Sequence, residues 1–477
     1  MLVVFAWAVA CAAGAQRSSG MREEFRGVWI SRFDWCDKNP QVCRKKIENL
    51  IGSASRAGFN AVFFQVRGQA DTLYPNAFEP WSGELGYRYP GFDPLKYAIH
   101  LAHAYGMELH AYVNVFPCCD GNKPPPRGLH PTHPYWSHAA PGVSDSWVCA
   151  DSKGKPQTIP SEEYVWFSPG NPAVEAHVRM ICRDLLTRYE IDGLHFDRIR
   201  YPGENFSHDR VSEARFRGAG NPTRLGWEAW QREQVSAFLE RVMGEVWAIR
   251  PRVKVTAAVW GIYRRDRIAG YGKFSSGYHE FYQDSEEWMR RGLVDAICPM
   301  IYWDLGGKKP DYDDLLEDFM KRAHGRHVYG GQKVYSDFAE NAREVQVTRQ
   351  LGAKGSVLFS WGSATSSKMA GKFKSGVYAS LARTPAMPWK SQRQTGAILG
   401  TVVRKTDRGE VPVTDACIRI EGSPRVWLTG GDGVFSILYL RPRPQTALTV
   451  SVSGRDTQRV SVNVAGGVIS QIKVVLP

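Results

Sequence analysis

The stretch "IDGLHFDRIRYPG", residues 191–203, decides the fold. An apolar run with strand-like alternation stops abruptly on Asp197, Arg198, Arg200 and Tyr201. An acid and two guanidiniums at the end of a strand place chemistry at its carboxyl end, where α/β barrels keep their active sites.

Outward from this stretch, strand and helix periods alternate along the chain. "FRGVWIS", "NAVFFQV" and "MELHAYVNV" precede it; "KVTAAVW", "DAICPMIYW", "HVYGGQKV" and "GSVLFSW" follow. Between them, helices open on Asn-Pro or Asp-Pro and close on Gly, as at Asn171-Pro172, Asp93-Pro94, Gly58 and Gly106, the usual start and stop signals. Eight strands, each followed by a helix, predict a (β/α)8 TIM barrel over residues 24–382. An open doubly wound sheet is the competing architecture, but no Gly-rich phosphate turn follows the first strand. Residues 383–394, "RTPAMPWKSQRQ", are Pro-rich and basic and read as a linker. Beyond them, alternating strands joined by Gly/Asp turns predict a small all-β sandwich over 395–477.

With 477 residues the chain is too long for a single ordinary core. Its 16 Trp and 20 Tyr supply flat surfaces of the kind that stack on sugars. The net charge of +13 favours anionic partners. Nucleic acid is disfavoured, because the Lys and Arg are spread without a basic run. Residues 1–20 carry a short apolar run and the small residues Ala13-Gly14-Ala15, so a signal peptide and export are expected; lipid on Cys11 is the alternative, and the only membrane attachment foreseen. For an exported chain with nine cysteines, Cys36 with Cys43, or Cys149 with Cys118 or Cys119, are candidate disulfides. No spacing resembles a zinc site, and His130, His133 and His138 lie in a proline-broken loop, so neither metal nor cofactor is expected.

Polar residues that close strands are expected to converge on one cup: Asp197 on the fourth, Arg67, Gln69 and Asp71 after the second, Asn114 on the third, Trp260 on the fifth, Tyr302 and Asp304 on the sixth, and Trp361 on the eighth. His195, two before Asp197, faces the same way. Acids, guanidiniums and indoles in a cup suit a carbohydrate, since rings stack on sugars, polar forks bind hydroxyls, and paired carboxyls cleave the acetal.

"EFRGVWISRFDW", "GFNAVFFQVRGQADTLYPNAFEPWS", "GMELHAYVNVF", "IDGLHFDRIRYP" and "VDAICPMIYW" resemble, in order over residues 24–365, the glycosyl-hydrolase-like ten family of exported bacterial proteins. The tail resembles a carboxypeptidase regulatory-like β-sandwich. The first resemblance implies a barrel hydrolase acting on glycans, some relatives being linked to cell-wall polysaccharide. It departs at Arg198, where many relatives carry a second acid, and at Val115, where many carry Pro. The expected mechanism pairs Asp197, kept ionised by Arg198 or Arg67, with Asp304 as the proton donor, and Arg198 joins the binding residues. The alternative is a non-catalytic glycan-binding surface protein on the same fold.

Overall fold

The computed structural model describes residues 21–144, 146–452 and 455–477; the expected signal peptide and Cys11 lie outside the described residues. Eight parallel strands close a barrel in chain order: β1 Phe25–Ile30, β2 Ala61–Arg67, β3 Glu108–Asn114, β4 Gly193–Asp197, β5 Lys254–Trp260, β6 Ala296–Met300, β7 His327–Lys333 and β8 Gly355–Phe359. The principal helices following them are α1 Pro40–Arg56, α2 Pro94–Ala104, α3 Pro172–Arg188, α4 Trp227–Ile249, α5 Ser285–Arg290, α6 Tyr312–Met320, α7 Phe338–Gln350 and α8 Trp361–Ser366. The predicted starts are built as expected: the Asn171 side chain accepts from the Ala173 N–H, and Asp93 accepts from Lys96 N–H.

Alternation along the strands sorts side chains into two cores. Outward positions meet the helices, while inward ones, among them Phe25, Phe63, Cys298, Tyr329 and Val357, fill the barrel. Rings dominate that interior: Phe25 stacks on Tyr329 at 4.1 Å and Phe63 on His195 at 3.9 Å. The result is a filled barrel, with a cleft above it at the carboxyl ends of its strands.

The amino-terminal mouth is covered by residues 383–394. Ala382–Arg383 pairs with Arg22–Glu23, and Met387 is buried with the interior side chains. Trp389 Nε1 and Lys390 Nζ donate to Asp295 at 2.7 and 2.8 Å.

The tail folds as two facing sheets. Strands β9 Gly396–Thr406, β10 Gly409–Pro412, β13 Val434–Leu440 and β16 Ile469–Leu476 form one; β11 Cys417–Ile420, β12 Val426–Leu428, β14 Arg443–Val452 and β15 Arg455–Val464 form the other. Ile398, Phe435, Ile418 and Val450 fill the space between them. The sandwich seats on α3 and α4 through charges: Arg179 reaches Glu245 and Asp432, and Glu240 accepts from Arg425 and Trp427.

All eight described cysteines are free thiols, so the expected loop disulfides are not formed. Their segments turn inward instead: Cys36, Cys43, Cys118, Cys119 and Cys149 are buried. Burial pushes the Cys36, Cys118 and Cys149 thiols well above the ordinary thiol range. Among the described residues no group of His, Cys, Asp and Glu is arranged to hold a metal; His133 instead caps the helix Pro134–His138, and His138 stacks on Trp147.

Candidate active site

The carboxyl ends of the strands enclose a cleft of about 460 Å³. Of the expected residues it gathers Asp197, Asn114, Arg198, Trp260 and Tyr302. Asp197 and Asn114 are register partners on β4 and β3, and so stand side by side. Asp197 Oδ2 accepts from the Tyr112 hydroxyl at 2.9 Å, and Oδ1 from the Arg198 N–H at 2.6 Å. The second bond depends on a left-handed backbone at Arg198 (φ 51°), a conformation costly for a side-chain-bearing residue and concentrated at functional sites. Burial first, and then the Asp197 charge, pushes both the Tyr112 and Tyr302 hydroxyls well above the phenol range, so both remain donors.

The long β3–α3 connection supplies one wall. Its antiparallel ribbon, Pro117–Asp120 with Tyr164–Trp166, carries Glu163 to the rim, where the carboxylate chelates the Arg198 guanidinium at 2.6 and 2.9 Å. Tyr164 Oη accepts from Arg32 at 3.3 Å. On the opposite wall Gln283 braces Trp260: its Oε1 accepts from Trp260 N–H at 2.9 Å while its Nε2 donates to the Ile199 carbonyl at 3.2 Å. Phe359, stacked on Tyr302, and Trp303 complete the lining.

The other expected residues lie elsewhere, each for a local reason. A register shift between Gln65 and Arg67 pairs Arg67 with outward-facing Val113. Arg67 is consequently sealed in an ion pair with Glu79 at 2.7 Å and donates to the Asn114 and Val115 carbonyls, which positions Asn114 from behind. Although burial opposes it, the Arg67 charge, helped by His177, holds the Glu79 carboxyl down at about 2. Gln69 and Asp71 face a separate hollow of about 330 Å³, with Asp71 accepting from Gln69 N–H. His195 does point inward, but beneath the cleft. Trp29 Nε1 can only donate, so His195 Nε2 accepts at 2.9 Å and Nδ1–H donates to Thr256. Burial, and then His110, drives its pKa well below the ordinary range, leaving a neutral ring under Trp29. Trp361 leaves the cup because the chain turns into α8 at Ser360, and its indole donates to the Leu50 carbonyl on α1. Asp304 sits on the loop after β6 with its side chain 69% exposed, 3.4 Å from Lys333, and does not line the cleft.

Trp29, Arg32, Gln65, Tyr112, Tyr164, Arg200, Trp303 and Phe359 line it without having been chosen. Tyr112 and Phe359 carried a usable signal. Counting by twos along β3 from Asn114 reaches Tyr112, and along β8 from interior Val357 reaches Phe359.

A family model described as glycosyl hydrolase-like 10 matches residues 24–345. The chain belongs to the glycosyl hydrolase-like 10 family. Within the glycosyl hydrolase-like relatives, it is 27% identical over 399 residues to glycosyl hydrolase YngK of Bacillus subtilis, covering 77% of this chain and 74% of that protein. It is 26% identical over 374 residues to glycosyl hydrolase DigH of Escherichia coli K12, covering 71% and 81%. Among solved structures, the glycoside hydrolase domain of PgaB (BpsB) from Bordetella bronchiseptica superposes with a TM-score of 0.53 at 14% identity, over 72% of this chain and 97% of that one. An α-L-fucosidase from Paenibacillus thiaminolyticus gives 0.50 at 16% identity, over 75% and 49%. At such identities the superpositions speak for the fold alone.

Proposed function

We propose that this family member is an exported glycoside hydrolase that cleaves a glycan, with bacterial cell-wall strands as its candidate substrate. One observation carries the reading: a carboxylate, Asp197, stands at the end of β4 in a cleft walled by Trp260, Tyr302, Trp303 and Phe359, held by two donors. Rings of this kind bind sugar faces, and a fixed carboxylate stabilises the positive charge that develops at the anomeric carbon as the acetal breaks. In this reading Asp197 acts as the ionised group. Asp304, on the loop after β6 against Lys333, is the acid this reading assigns to the leaving oxygen. The named relatives, both glycosyl hydrolases, support it.

One fact favours a second reading, a glycan-binding protein without turnover: among the described residues lining the cleft, Asp197 is the single carboxylate. The deciding experiment incubates the full chain with peptide-free peptidoglycan strands and with neutral chitooligosaccharides and counts new reducing ends. Cleavage by the wild type that is lost in Asp197→Asn supports the hydrolase. Binding without cleavage in any glycan supports the alternative. Export is checked by the mass of the mature chain from its native host, which should lack the first 15 or so residues or carry lipid on Cys11.

A further inference from the structure

Beside Asp197 the cleft opens into a second hollow of about 620 Å³, reaching from the β3–α3 ribbon to the loops after β4 and β5. The two spaces share Tyr164, Trp260 and two guanidiniums, Arg198 and Arg200. Arg198 is taken, because Glu163 chelates it. Arg200 is not. It is 5% exposed, yet among the described residues its guanidinium has one acceptor, the Tyr201 carbonyl at 3.1 Å. Rings surround it instead: Phe281 at 4.5 Å, Trp166 at 4.9 Å and Trp260 at 5.8 Å. The carboxylates within reach of its field are committed elsewhere, Glu163 to Arg198 and Asp197 to Tyr112 and the Arg198 N–H. Burial first, and then repulsion from Arg198, lowers its pKa to about 10, which leaves it charged at neutral pH.

A guanidinium presents five N–H donors in a planar fork that fits the two oxygens of a carboxylate. Burying such a charge without a counter-ion is costly, and most buried ions are paired. Here the fork lies where the two hollows meet, beside the half-buried indole of Trp260, a flat face suited to a sugar ring. The missing partner is therefore an anion carried on a ring. We infer that Arg200 is a specificity residue for an acidic sugar, its fork binding the carboxylate of a pyranose lodged against Trp260. The inference rests on reading the cleft as a glycan site, and gives that site a charged subsite that neutral glycans leave unfilled.

Two sources of carboxylate fit this chemistry, the lactyl ether of a muramic unit and the C6 acid of a uronic unit, and the test separates them. Binding is measured by calorimetry on Asp197→Asn protein, which removes turnover, with peptide-free peptidoglycan strands and with oligogalacturonate. Each is compared with the same glycan after its carboxylates are reduced to alcohols. At least one native glycan should bind roughly 10- to 100-fold tighter than its reduced form, the range for a hydrogen-bonded charge. Adding Arg200→Gln should bring that ratio close to one, and Arg200→Lys, which keeps the charge without the fork, should leave it intermediate. If the Gln variant fails to fold, the native-to-reduced ratio and the Lys variant still decide. Equal binding of native and reduced forms in both pairs, absence of binding to all four, or an unchanged ratio in Arg200→Gln, overturns the inference. Failure of the hydrolase reading looks different: discrimination persists in binding, but the wild type releases no reducing ends from any glycan.

Discussion

The two mouths of the barrel are built from the same eight strands and treat their acids differently. At the amino-terminal mouth the carboxylates Asp295 and Glu108 are both paired with lysines. Asp295 accepts from Lys390, Trp389 and the Val255 N–H, and Glu108 accepts from Lys254 and Thr384 and contacts His110. At the carboxyl-terminal mouth Arg200 is buried without a counter-ion, the Asn114 amide oxygen has no acceptor bond, and Arg198 holds a left-handed backbone. Buried polar groups are normally satisfied, so an unpaired guanidinium and an unpaired amide oxygen that both line the open cleft are where a ligand completes the set.

The sharpest way to break this contrast is Asp197→Asn. It removes a charge but keeps size, so glycan turnover should fall at least about 1,000-fold, with the melting temperature nearly unchanged. Wild-type turnover in that variant would move the chemistry to another part of the molecule. Lys390→Ala should do the reverse. It leaves Asp295 buried without its cation, so denaturant unfolding should lose about 3–5 kcal/mol while the folded fraction keeps its turnover. A variant as stable as the wild type would mean that the floor is held by Met387 and Trp389 alone.

Asp304→Asn comes next. If the rim acid protonates the leaving group, turnover should drop about 100-fold and the basic limb of the pH–rate profile should disappear. An unchanged rate leaves the cleft with Asp197 as its single acting carboxylate.

The smallest expected effect is a pH slope shared by both ends. Glu79 behind the cleft and Glu108 at the floor are each held at about 2, below an ordinary 4.5. A depressed folded pKa means stabilisation that is complete above about 4.5 and is lost as pH falls towards 2. Glu79→Gln and Glu108→Gln should each flatten the stability curve within that window. A slope that neither variant changes would assign acid unfolding to other carboxylates.

The barrel was legible in the sequence because periods of two and 3.6 alternate cleanly and the helix caps are written in Asn-Pro and Asp-Pro pairs. The site was legible only where a strand ran straight to its end, as β4 does at Asp197 and β5 at Trp260. Arg67 was misplaced by a register shift that no residue type announces, and Trp361 by a turn into α8 that ends the alternation one residue earlier. Asp304 lies four residues past the end of β6, beyond the reach of any strand period. The cysteines misled because a loop in the sequence need not be a loop on the surface, and this one folds over the barrel. Arg200 was visible from the outset as a charge, but that it lacks a counter-ion is a fact about three dimensions.

The strip of chain across the barrel floor has a bearing on how the gene can be cut. A fragment stopping at residue 382 encodes every strand and helix of the barrel, yet omits Trp389 and Lys390 and leaves Asp295 facing an open hole. Recombination or truncation that treats residues 383–394 as disposable spacer separates a lid from its vessel. The chain that completes the barrel therefore runs past residue 382 to the edge of the sandwich, whose first strand begins at Gly396.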